Sequence, residues 1–329
     1  MTRIDNQYRI IEAGAGWIDR SGRGRLEFEG RDASTFLQAL VTNDLGAATT
    51  GTGVDAAYLT PQGRMIAMLR ILVGESALHV EVAPGQAAAL ATRFDQLIFT
   101  EQVRVADVSA ATIALGVIGG GAADTIARAL AIDRARLDAL GTLGHEIFGD
   151  VRAVRVDDTA LAGYELWAPA SARDELVSRL SAAGAVEIDT ALDEALRIEA
   201  GRPLFGVDMN DDTIPLEAGL LERAISTTKG CYVGQEVIIR VLHRGAGRVA
   251  RRLVKLAFDP GVTTPPASGT PILAGDQETG RITSAAVSPT TDHVIALGYV
   301  HRDAATSGAR VVARPPSGDL PAEIVGFAG

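Results

Sequence analysis

The sequence predicts an α+β fold followed by a small β-barrel domain, and three observations predict it. Helix-period and strand-period segments alternate through residues 1–250. A proline-rich stretch, Asp259-Pro260-Gly261 and Pro265-Pro266, comes next and reads as a linker. Beyond it lie short apolar runs at 271–274, 279–288, 293–300, 309–313 and 320–327, separated by turn signals and lacking a helical period. The expected division is residues 1–250, an α+β region of two subdomains, and residues 251–329, a barrel.

Within the first region, residues 9–30 read as short strands joined by glycines. Asp32 then caps a helix in which Ala33, Phe36, Leu37 and Leu40 recur at i, i+3, i+4 and i+7. Runs at 54–59, 65–73 and 77–83 form a strand meander with Pro61-Gln62-Gly63 as a turn. Pro84-Gly85 opens a helix carrying Leu90, Phe94, Leu97 and Ile98. A strand at 111–118 leads through Gly119-Gly120-Gly121 into a helix with Ile126, Ala129 and Leu130. That triple glycine lacks the Lys-Ser/Thr of a phosphate loop and the GxGxxG spacing of a dinucleotide site, so it reads as a turn. Strands at 151–156 and 163–168 and helices near 171–183 and 190–200 complete the region.

Composition narrows the function. A net charge of −10 and a pI near 5.1 argue against direct nucleic-acid binding. An apolar fraction of 47% with only 5% aromatics implies a core of Ala, Leu, Val and Ile. A single cysteine in 329 residues excludes an intrachain disulfide and a self-sufficient iron–sulfur cluster. His79, His145, His243, His293 and His301 form no HxxxH pair, so no metal site is expected. The longest apolar run, Ala110 to Ile118, falls well short of the ~20 residues that span a bilayer. With no signal-like start, the expectation is a soluble cytoplasmic protein without a membrane partner.

The one cysteine sits in Lys229-Gly230-Cys231-Tyr232-Val233-Gly234-Gln235-Glu236, ahead of a helix with Val237, Ile238, Val241 and Leu242 on one face. A thiol at a helix start meets unpaired N–H groups and the positive dipole end, which favour the thiolate. Lys229, Arg240, Arg244, Arg248, Arg251, Arg252 and Lys255 surround it in sequence, with Glu236 the only acid. Cys231 is therefore a candidate reactive thiol, with a small buried turn residue as the competing reading. His243, ~18 Å away along an unbroken helix, is too distant to form a dyad with it.

The octet resembles the KGC-aromatic-x-GQE signature of the YgfZ family, folate-binding proteins of iron–sulfur cluster assembly related to the glycine-cleavage T-protein, an aminomethyltransferase. The similarity extends through Phe28-Glu29-Gly30-Arg31-Asp32-Ala33, Phe36-Leu37-Gln38, Thr42-Asn43-Asp44 and Tyr58-Leu59-Thr60-Pro61-Gln62-Gly63-Arg64. Gly163-Tyr164-Glu165-Leu166 and Leu196-Arg197-Ile198-Glu199-Ala200-Gly201 look like the shared "GYEL" and "LRIEAG" segments. The resemblance implies a GcvT/YgfZ-like fold, tetrahydrofolate or a one-carbon derivative as cofactor, and iron–sulfur assembly or client proteins as partners.

It also implies site residues. Glu165 and Arg197 match the glutamate and arginine that face the folate pocket. A carboxylate suits the donor edge of a pterin, and arginine suits the anionic tail. On the residues alone, Glu165 would point to solvent, and Arg197 would pair with Glu194 or Glu199. Lys229, Gln235 and Glu236 of the octet are implied in cofactor binding, and Cys231 in catalysis or transient cluster ligation. One departure stands out: the acidic pair of T-proteins falls on Ala67-Met68, which are unable to do acid–base work. The expected function is support of iron–sulfur assembly, with a tetrahydrofolate-dependent aminomethyltransferase or demethylase, and an interaction scaffold, as alternatives.

Overall fold

Two open sheets and a closed barrel organise the chain, which the computed structural model describes over residues 3–243 and 248–329. The five-stranded sheet has the order Gly53–Leu59, Met65–Val73, Ala77–Val82, Gly24–Glu29, Arg104–Asp107. Strand alternation gives it two unlike faces. Leu26 and Phe28 project toward helices Ala33–Leu40 and Ala87–Asp95, where Phe94 meets Phe28 edge-on at 5.2 Å. The opposite face carries Arg25, Glu27, His79, Glu81 and Arg70, aligned by the pairings Arg25–Glu81, Glu27–His79 and Arg70–Glu81.

The six-stranded sheet runs Val186–Glu187, Gly16–Asp19, Thr112–Ile118, Gly163–Pro169, Val151–Val156, His145–Phe148. Gly16–Asp19 pairs in parallel with Val186–Glu187, and the remaining pairs are antiparallel. Ile113, Leu115, Val117, Tyr164, Leu166 and Ala168 form one face, buried with Ile126 and Leu176 of helices Ala122–Leu130 and Arg173–Ala182. The other face presents Gly116, Glu165, Trp167, Arg152 and Val154.

The barrel closes through Arg251–Phe258, Val294–His301, Gln277–Val287, Pro271–Ala274, Arg310–Ala313 and Leu320–Phe327, around Val254, Leu256, Ile272, Val300 and Ile324. The C-terminal β-barrel read from the short apolar runs is thus present. By compactness the chain divides into residues 1–58, 67–190 and 229–232, and residues 59–66, 191–228 and 233–329. Both open sheets lie essentially in the first unit, and the barrel lies in the second.

Four strands escaped the sequence reading. Arg104–Asp107, His145–Phe148 and Val186–Glu187 are two to four residues long, so no alternation develops. Arg251–Phe258 begins with two basic residues that mask its buried Leu253, Val254, Leu256 and Phe258. Residues 9–13, expected as strand, finish the helix Arg3–Ala13. Asp32 precedes its helix without capping it, and its Oδ2 accepts from the Gln102 amide instead. Among the described residues no helix is long and apolar enough to cross a membrane.

Candidate functional site

Glu165 is fully buried, not turned to solvent. Alternation sends Tyr164 and Leu166 into the core and Glu165 and Trp167 to the polar face. Across the sheet Glu165 faces Gly116, where a Cβ would stand 3.0 Å from Nε of Arg20. The missing side chain lets Arg20 lie over the strand, and its Nη1 donates to Glu165 Oε1 at 2.9 Å. Arg23 Nη1 donates to the same oxygen at 2.7 Å, and the Trp167 indole N–H donates to Oε2 at 3.1 Å.

The five-stranded sheet completes a buried charge cluster. Arg70 binds Asp158 at 2.6 Å and lies 3.6 Å from Glu165 and 3.5 Å from Asp55. Its cross-strand partner Glu81 accepts from Arg23 through Oε1 at 2.9 Å. Glu81 Oε2 is buried without a hydrogen-bond partner.

Burial acts against every charge here, and the neighbours decide the outcome. It would raise the pKa of Glu165, but Arg23, Arg70 and Arg20 hold that carboxyl down at about 2. Against the same penalty Asp158 is kept well below the carboxylate range by Arg70, Arg23 and Arg20. Glu81 goes the other way. Burial and then the charge of Glu165 push it up to about 7, despite Arg23 and Arg70. Three guanidinium groups face four carboxylates, so a proton on Glu81 brings the cluster to neutrality.

The octet divides into structural parts. Lys229 is buried and donates to the carbonyls of Gln38, Val41 and Asn43 at 2.6, 2.6 and 2.9 Å. It closes the C-terminal end of helix Ala33–Leu40, where the dipole favours a cation. Burial lowers its pKa to about 8. These three carbonyls match the three ammonium hydrogens. Cys231 is exposed. Its helix begins only at Gln235, so the thiol lies outside the first turn, whereas the sequence places it at the helix start. Gln235 and the exposed Glu236 open that helix, an acid in the first turn being favourable there. Arg244 lies outside the described residues.

The two motif glycines differ. Gly234 has φ +81°, and a Cβ there would meet the Thr60 carbonyl at 2.5 Å, whereas Gly230 has open space. Gly234→Ala should therefore destabilise by at least ~1–2 kcal/mol, the penalty of left-handed backbone, while Gly230→Ala should be nearly neutral. Urea midpoints of the two variants measure the difference, and equal midpoints would contradict it.

Arg197 donates to Glu194 at 2.8 and 2.5 Å, to Asp208 at 2.7 Å and to the Arg202 carbonyl. Asp208 also accepts from Ser284 at 2.7 Å and from Thr283. Glu199 is engaged with Ser288 and Thr290. Arg197 thus follows the local-pairing alternative, within the second unit, while Glu165 belongs to the first. Both oxygens of Glu165 likewise accept hydrogen bonds within the first unit. Ala67 is fully buried, and Met68 shares its strand face with Arg70 two residues on. Sequence reasoning missed Arg20, Arg23, Arg70, Glu81 and Asp158. For Arg70 and Glu81 the signal was available: each is an ionisable residue flanked by Leu69 and Ile71, or by Val80 and Val82.

Two family models match the chain: the GCVT N-terminal domain over residues 1–229, and the glycine cleavage T-protein C-terminal barrel domain over residues 251–327. A protein named aminomethyltransferase from Moorella thermoacetica is 29% identical over 315 residues, covering 94% of this chain and 84% of the relative. Another from Thermosynechococcus vestitus is 28% identical over 327 residues, covering 98% and 86%. The crystal structure of glycine cleavage system aminomethyltransferase T from Bartonella henselae superposes with a TM-score of 0.87 at 21% identity, covering 98% of this chain and 88% of that one.

Proposed function

The chain belongs to the glycine cleavage T-protein family through both its N-terminal domain and its C-terminal barrel, and from that premise we propose a tetrahydrofolate-dependent protein that transfers or removes a one-carbon unit, as an aminomethyltransferase or demethylase. The observation that carries this reading is Glu81. Ala67 and Met68 occupy the positions where the T-protein resemblance places an acidic pair, and they are unable to move a proton. Glu81 sits across from Arg70 on the adjoining strand, on the face that Met68 shares. Its carboxyl titrates at about 7, and Oε2 is free of protein partners. Those are the properties of a general acid–base at neutral pH.

Bound tetrahydrofolate, or a one-carbon derivative of it, supplies the nitrogens that carry the one-carbon unit. The chain's own contribution is then to hold a proton at Glu81, and to keep Glu81 able to hold it through the fixed charge of Glu165. Arg20, Arg23 and Arg70 keep Glu165 ionised.

An exposed Cys231 within the octet favours a second reading, support of iron–sulfur assembly through that thiol and client proteins. One experiment separates the two. Calorimetry should show tetrahydrofolate binding, and an aminomethyl donor should yield methylenetetrahydrofolate and ammonia. Glu81→Gln should cut turnover by roughly 10²-fold with binding retained. Cys231→Ser should leave turnover unchanged. No tetrahydrofolate binding would end both readings. Turnover indifferent to Glu81→Gln would remove the acid–base role. Absence of turnover, together with failure of Cys231→Ser to sustain iron–sulfur enzymes in cells lacking the protein, would establish the second reading over the first.

A further inference from the structure

Arg152 belongs to no part of the charge cluster, yet it is only 9% exposed. It lies opposite Trp167 on one neighbouring strand and opposite Ile147 on the other, so the three side chains share a face of the six-stranded sheet. Its Nη1 lies 2.8 Å from Nδ1 of His145. Among the described residues, no other hydrogen bond and no carboxylate within 4 Å ties the guanidinium. Burial weakens its charged form, and Glu27 compensates only from a distance. A buried guanidinium left in this state is costly unless a ligand completes it.

The space beside it is suited to that role. A cavity of about 240 Å³ is lined by Arg152 together with Trp167, Ile147, Val108, Ala111 and Pro169. One Nη1 hydrogen faces His145, and the Nε–H and an Nη2 hydrogen form the side-on edge of the fork. That edge matches the two oxygens of one carboxylate. The walls are mainly apolar, and the indole of Trp167 offers a flat surface. Glu27 and His79 also line the cavity, and His79 is lowered to about 4 by burial and by Arg152. It is neutral at physiological pH, so Glu27 is the charge that opposes an anion from the inner wall, and the exposed Asp150 does so from the rim. A single negative charge is tolerated there better than a phosphate dianion.

We propose that this cavity is a second ligand site of the first unit, binding a small monocarboxylate with a planar apolar body, its carboxylate on the Nε–Nη2 edge of Arg152 and its body against Trp167. The volume is below the range of pockets for drug-sized ligands, so the site suits a molecule of about the size of benzoate. It is independent of the folate reading.

The probe is benzoate, titrated calorimetrically into the full chain, with benzyl alcohol and inorganic phosphate as comparison ligands. Saturable benzoate binding is expected, with neither comparison ligand binding. Arg152→Gln should weaken it about ten- to a hundredfold, the worth of charge-assisted hydrogen bonds. Arg152→Lys should weaken it too, because an ammonium lacks the fork. Ala111→Phe fills the cavity from its exposed rim without touching Arg152, and it should abolish binding in a protein of unchanged melting temperature. Benzoate bound equally by the parent and by Arg152→Gln or Ala111→Phe would overturn the proposal, as would no saturable binding in the millimolar range. Full competition between benzoate and tetrahydrofolate would assign the Arg152 edge to the folate's own carboxylates and overturn a separate site.

Discussion

Glu165→Ala should destabilise the first unit by about 3–5 kcal/mol, the cost of removing one partner from a buried ionic network. The carboxylate has no exposed surface, and it is the common acceptor of Arg20 and Arg23, with Arg70 close by. Its loss leaves three guanidinium groups against Asp55, Asp158 and Glu81, and leaves the Trp167 N–H without an acceptor. Glu165→Gln keeps an oxygen for hydrogen bonding but loses the charge, and it should cost less. Chemical denaturation of the three proteins provides the measurement. A Glu165→Ala midpoint within error of the parent would show that the cluster does not hold the two sheets of this unit. Glu165→Gln carries a second expectation: without the neighbouring negative charge, the Glu81 carboxyl should titrate lower than in the parent.

The pH dependence of stability should carry the signature of Glu81. Its folded pKa of about 7 lies above the ordinary carboxylate value. Between those two values the folded chain holds a proton that the unfolded chain has released. Stability from this group is therefore full below the unfolded value and is lost as pH rises through about 7. The loss amounts to up to about 3 kcal/mol. Glu165 and Asp158 have the opposite sign, because their folded values are depressed. Their contribution is present above the unfolded value and fails only in acid, as pH falls toward about 2 for Glu165. Glu81→Gln should thus flatten the decline in stability from about pH 5 to about pH 8 while leaving acid unfolding in place. Parallel curves for parent and variant over that interval would locate the titrating group elsewhere.

Much of the fold was legible in the chain. Phe36 and Leu37 on their helix, the three-strand meander after residue 53 and the short apolar runs of the barrel all announce themselves through local periodicity. Short edge strands did not, because a pairing partner specifies them more than their own composition. Of the candidate site the sequence reading reached only Glu165, a charged residue on an apolar strand, although Arg70 and Glu81 carry the same signal. What the Glu165 carboxylate does depends on Arg20, Arg23 and Arg70, which lie up to 145 positions away and reach it only after two sheets have formed, and its charge in turn raises Glu81.

By itself the sequence determined the α+β fold with its C-terminal barrel, the single thiol, and the apolar pair Ala67-Met68. Each of these is a matter of local pattern or residue identity, which no packing can alter. Tertiary structure alone decided that Lys229 is a helix cap, that Cys231 lies outside the helix, that Arg197 is held by Asp208 and that Glu81 titrates near neutrality. Charges, burial and hydrogen-bond partners set those outcomes, and all three come from residues distant in the chain, through an electrostatic field that exists only once water has been excluded from between them.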